Sequence, residues 1–163
     1  MKIKKLVTLF ILIFLFNGCT FLGVNKNEKI SRYFTMGEAV HSSTAKRKRI
    51  RNVPNWEERS NIRYTARRLD EVRKILGRPV IVTSWFRSER LNRAVGGSST
   101  SRHRNGTSVD ILLKKGKAGR REFEKVRARL KSFDQLIYYP RRGHLHVGFR
   151  AYRSQERQQV MIR

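Results

Sequence analysis

The sequence predicts a small α+β domain in which two helices pack on an antiparallel sheet. Three observations predict it. A capped, amphipathic pattern runs from Asn55 to Gly77, and four short β-rich runs lie between residues 79 and 149. The 163 residues are 39% hydrophobic, which is enough for one core, and no internal repeat suggests an array.

Asn55-Trp56-Glu57-Glu58 has the form of a capping box, with Asn55 as N-cap and Glu58 three residues on. Ile62, Ala66, Leu69, Val72 and Leu76 then recur at helical spacing, and Gly77 with Pro79 closes the helix. Pro79–Phe86, with Val80, Ile81 and Val82, reads as a buried strand. Arg87–Asn105 is rich in Gly, Ser and Arg and reads mostly as loop or short turns. Thr107–Leu113 is a second strand. Ala118–Leu130 is a second helix, with Phe123, Val126 and Leu130 on one face. Asp134–Tyr139 and His144–Phe149 form a hairpin around a Pro140–Gly143 turn.

Ahead of this domain, Lys2, Lys4 and Lys5 precede an apolar run from Leu6 to Phe16, broken only by Thr8. A run this short cannot cross a hydrocarbon core that needs about 20 helical residues, so it reads as a secretory signal. Phe16-Asn17-Gly18-Cys19 is similar to a bacterial lipobox, which marks Cys19 as the acylation site. The expected organisation is a signal peptide over 1–18, a polar tether over 19–32, the domain over 33–150 and a basic tail over 151–163. The expected location is the bacterial envelope, with the chain exported and anchored to a membrane by lipid.

The charge carries its own inference. With 38 Lys+Arg against 12 Asp+Glu the formal charge is +26, and Arg outnumbers Lys 25 to 13. Guanidinium forks favour carboxylates and phosphates, so nucleic acid is the first partner to weigh. An exported chain seldom meets it, and the sequence holds no recognition-helix, RNA-recognition or zinc-finger signature. The charge fits anionic lipid or envelope polymer better. A single cysteine also excludes an internal disulfide framework and any multi-Cys zinc site.

Three of the four histidines lie in two compact motifs: Ser101-Arg102-His103-Arg104-Asn105-Gly106-Thr107-Ser108-Val109-Asp110 and His144-Leu145-His146. On a strand, His144 and His146 face the same side. Asp110 sits in an apolar strand, where an unpaired carboxylate is costly, so it needs a cation. Zinc held by two His and one Asp, with a fourth position for water, would serve. One of the many arginines would serve as well.

The segment Ser-x-His-x-x-Gly-x-x-x-Asp followed by a late His-x-His resembles the zinc metallopeptidases of the D-Ala-D-Ala carboxypeptidase family. That group includes phage endolysin peptidases, and its fold is shared with the hedgehog signalling domain. The short, single-domain type is the nearest pattern. Further matching motifs are Tyr33-Phe34-Thr35 with Glu38, Thr83-Ser84-Trp85-Phe86-Arg87-Ser88, Asn92, Val95-Gly96-Gly97 and Phe133-Asp134-Gln135-Leu136-Ile137. The resemblance implies Zn2+ as cofactor and His103, Asp110 and His146 as its ligands. It also implies that Arg87 binds the substrate's carboxylate or scissile carbonyl, and that Ser101 contacts substrate or supports His103.

One departure stands out. Many relatives carry a glutamate or aspartate shortly before the last ligand as general base. Here Tyr139 or Pro140 stands in its place, and no carboxylate lies between Asp134 and His146. His144 is the candidate replacement, or else a group supporting the site. Two functions follow as expectations: a zinc peptidase acting on peptidoglycan stem peptides, or a relative that binds the wall without cutting it.

Overall fold

A computed structural model describes residues 23–163. The expected signal segment 1–18 and Cys19 lie outside the described residues.

The chain forms helices α1 (Met36–Val40), α2 (Ser43–Arg47) and α3 (Trp56–Leu76), then strand β1 (Ile81–Ser84) and helix α4 (Glu89–Ala94). A 3-10 turn at Arg102–Asn105 leads into β2 (Ser108–Leu112), α5 (Gly116–Arg129), β3 (Gln135–Tyr139) and β4 (His144–Gly148). A second 3-10 turn, Arg153–Gln155, precedes β5 (Gln159–Ile162).

Helix α3 forms where the capping box predicts. The Asn55 side chain accepts from the Glu58 amide at 2.8 Å, and Glu58 accepts from the Asn55 amide at 2.7 Å. Gly77 ends the helix in the left-handed region (φ 70°), which costs glycine nothing. Ile62, Ala66, Leu69, Val72 and Leu76 are buried along one stripe. That stripe meets the inward residues of the sheet: Val109 and Ile111 of β2, Leu136 and Tyr138 of β3, and Leu145 and Val147 of β4. Phe123 of α5 stacks on Tyr138 with ring centroids 4.9 Å apart. Strand side chains alternate, so the residues between these point to the opposite face of the sheet, away from the helices.

The strand order is β1-β2-β4-β3-β5. The first three neighbouring pairs are antiparallel, as expected, but β5 joins β3 in parallel, which makes the sheet mixed. The segment 151–163 is therefore not a free tail. Its approach to the sheet is pinned by ion pairs: Glu156 to Arg68, and Arg157 to the fully buried Asp134. Two further expectations change. The stretch Arg87–Asn105 contains α4, because Leu91 and Asn92 are buried and the residues around them favour a helix. The tether also ends early. Ile30 is buried in the core, Glu28 pairs with Arg63 at 2.6 Å, and the Gly37 amide donates to the Lys26 carbonyl at 2.8 Å.

Candidate metal centre

The register of the sheet builds the site. Asp110 of β2 stands opposite Ser84 of β1 on one side and His146 of β4 on the other, and His146 stands opposite Ile137 of β3. This row lies on the face away from the helices, where Asp110, His146 and Ile137 line a cavity of about 810 Å³. One row along, His144 is flanked by Leu112 and Tyr139. His144 and His146 both line the cavity, as the two-residue strand period predicts.

His103 reaches the same face from the 3-10 turn. That turn is held from both sides. Trp85 Nε1 donates to the Gly106 carbonyl at 3.0 Å, and the Arg87 amide donates to the His103 carbonyl at 3.0 Å. Gly106 is obligatory there: its φ is 80°, and a Cβ would lie 2.7 Å from Ile62 Cγ1. The motif glycine thus lets the ligand loop press against α3. Asn92 performs a similar service nearby, donating to the carbonyls of Gly97 and Ser98 at 3.1 and 2.8 Å.

The His103 ring is buried, and its Nδ1 lies 2.7 Å from the Trp85 carbonyl. A carbonyl only accepts, so Nδ1 carries the proton. Burial pushes the His103 pKa down and outweighs the upward pull of Asp110, so the ring is neutral and Nε2 presents a lone pair. That nitrogen is 3.3 Å from His146 Nδ1 and 3.3 Å from Asp110 Oδ1. His146 Nδ1 is itself 2.8 Å from Asp110 Oδ1. Burial works against the charged form of Asp110, yet its polar surroundings hold the carboxyl well below the usual range.

Three ligand atoms thus lie within 4.8 Å of one another. Two imidazole nitrogens and one carboxylate oxygen form a zinc donor set that leaves a fourth position open. The carbonyl bond at His103 is the supporting contact that metal-binding histidines usually make, since it fixes tautomer and ring orientation. These residues fit the metal.

Arg87 resolves the alternative posed by Asp110. Its Nη2 donates to Asp110 Oδ2 at 2.8 Å and its Nε donates to Ser84 Oγ at 2.8 Å. Arginine and histidines therefore use different oxygens of one carboxylate, so an arginine partner and a metal are compatible. Arg87 and Ser101 both line the cavity. Ser101 caps the ligand turn through its backbone, accepting from the Arg104 amide at 3.1 Å.

No replacement carboxylate is at hand. Among the described residues lining the cavity, Asp110 is the sole acid, and of Tyr139 and Pro140, the two residues expected in place of the base, Tyr139 lines the wall. Glu38 is committed to the capping box of α1, accepting from the Thr35 amide at 2.8 Å. Sequence reasoning missed Arg102, Arg142, Arg157 and Arg163, which line the cavity too. Nothing local marks Arg157 or Arg163, because they arrive with the unexpected β5.

A family model described as Peptidase M15 matches residues 32–148, most of the chain. No curated protein matches it.

Proposed function

The chain belongs to the Peptidase M15 family of zinc peptidases, and from that premise we propose that it cuts the stem peptides of peptidoglycan, as a D-Ala-D-Ala carboxypeptidase or endopeptidase. The observation that carries the reading is the convergence of His103 Nε2, Asp110 Oδ1 and His146 Nδ1 on the wall of one cavity. Zinc held by these atoms supplies a Lewis acid for the scissile carbonyl and a water of lowered pKa.

The chain's own residues do the rest. Trp85 holds His103 in its ligand tautomer, and Arg87 holds Asp110 by the oxygen that faces away from the histidines. Arg87 also presents its guanidinium to the cavity, where it steadies the substrate's carboxylate or the developing oxyanion. Ser101 lies on the substrate's path beside the ligand turn. His144 accepts a proton from the attacking water and passes it to the leaving amine. Acylation at Cys19 tethers the domain to an envelope membrane, and the excess of arginine draws it to anionic lipid and wall polymer.

A second reading has a specific observation behind it: with Asp110 as the sole acid among the described residues lining the cavity, the chain binds peptidoglycan without cutting it. Digestion of purified peptidoglycan by the zinc-loaded protein separates the two. The peptidase reading expects newly released amino groups and D-Ala, lost in Asp110→Ala and reduced about 10²–10⁴-fold in His144→Ala. Sedimentation of the protein with insoluble wall, but with no product, supports the second reading. Equal release by wild type and Asp110→Ala sinks the first.

A further inference from the structure

We propose that the same cavity carries a second anion site, built by Arg102, Arg157 and Arg163, which selects stem peptides bearing an extra free carboxylate. The inference deepens the peptidase reading and rests on it.

The first support is charge imbalance. Asp134 is fully buried and accepts from Arg157 through both oxygens, at 2.9 and 2.8 Å. It also accepts from Arg150 Nε at 2.5 Å, and Arg102 Nε lies 3.3 Å from it. One carboxylate thus answers three guanidiniums, leaving two positive charges unmatched beside the cavity. Burial, together with the charges of Arg150 and Arg157, holds the Arg102 guanidinium below its ordinary pKa despite Asp134.

The second support is placement. Arg102, Arg157 and Arg163 all line the cavity that holds the ligand trio. Arg163 is fixed by its backbone, whose amide donates to the Tyr138 carbonyl at 2.9 Å at the end of β5. Its side chain touches the Met161 thioether at 3.9 Å, and among the described residues it has no carboxylate within ion-pair distance. The cavity is large enough for a peptide rather than a single terminal residue.

The third support is origin. Arg157 and Arg163 lie beyond residues 32–148, the segment matched by the family model. They flank the parallel strand β5, at the edge of the sheet. A feature outside the matched segment is suited to choosing among substrates rather than to the shared chemistry. Guanidinium forks bind carboxylates bidentately, which gives direction as well as charge.

The test titrates the full chain with two peptides, L-Ala-γ-D-Glu-L-Lys-D-Ala-D-Ala with the glutamate α-carboxyl either free or amidated. Binding is read by calorimetry and cleavage in a parallel assay. The expected result is about tenfold tighter binding of the free acid, shrinking as salt rises. Arg163→Ala should bring the two peptides within about twofold of each other, and Arg163→Glu should reverse the preference. Both variants should melt as wild type, since Arg163 is exposed and holds no buried ion pair. Equal binding of the two peptides by wild type, no binding of either, or an unchanged preference in both variants overturns the proposal. Absence of cleavage with the preference intact overturns the peptidase reading instead.

Discussion

Asp110 on β2 and Asp134 just before β3 are both withdrawn from water, yet their partners differ in kind. Asp110 meets two histidine nitrogens on one oxygen and a single guanidinium on the other. Asp134 meets three guanidiniums. The first arrangement gathers electron pairs and leaves room for a cation. The second already holds more positive charge than one carboxylate balances. Both aspartates belong to motifs that resemble one family, and only their surroundings separate a candidate ligand from a staple between β3, the final crossover and the turn at Arg102.

The strongest way to break this comparison is to neutralise each carboxylate in turn. Asp134→Asn leaves three guanidiniums facing one another, and removing one partner of a buried ion pair typically costs about 3–5 kcal/mol. Denaturant unfolding should show that loss while zinc content stays near one per chain. Asp110→Asn should do the reverse: zinc is lost, and the metal-free fold weakens much less, because Arg87 is partly exposed and keeps its bond to Ser84. If Asp134→Asn unfolds like wild type, or Asp110→Asn keeps its zinc, the division of labour is wrong.

Acid sharpens the contrast with a smaller effect. Burial alone would raise the Asp134 pKa, but hydrogen bonds from Arg157 and Arg150 and the charge of Arg102 bring it down to about 2. A carboxylate whose folded pKa is depressed stabilises the fold above its unfolded pKa. That stability is lost as pH falls through the folded value. Between about pH 4 and pH 2 the wild type should therefore lose roughly 2 kcal/mol more than Asp134→Asn. Parallel acid profiles for the two proteins would remove Asp134 as the cause.

How far the sequence could reveal these features depended on how local their causes are. Helix α3 was legible from Asn55, Glu58 and Gly77, because caps and periodicity act within a few residues. The grouping of His103, Asp110 and His146 was legible because their motifs resemble those of one family, and strand alternation added His144 to the same face. The double use of Asp110 was not, since the choice between Arg87 and a metal is made by which oxygen faces which element. Strand β5 was hidden for a physical reason too. Gln159–Ile162 is short and only half-buried, and its parallel pairing depends on ion pairs of Glu156 and Arg157 with residues far away in the chain. The arginines it brings to the cavity were hidden with it.

The smallest predicted effect concerns a residue between the two regions. Ser108 opens β2, opposite Gly148, and its hydroxyl is buried with no hydrogen-bond partner. A Cβ on Gly148 would lie 3.2 Å from that oxygen and 3.6 Å from His146 Nε2, so the hydroxyl and a candidate ligand border the same glycine. If it served the metal centre, removing it would lower zinc affinity, since supporting contacts typically contribute about 10–100-fold. With no bond to the ring it supports nothing and carries only the cost of burial, about 1–3 kcal/mol for an unsatisfied group. Ser108→Ala should therefore stabilise the domain by about 1 kcal/mol and leave zinc affinity unchanged. Thermal melting and a zinc titration on the same variant decide it: weakened zinc binding would place Ser108 among the groups that orient His146.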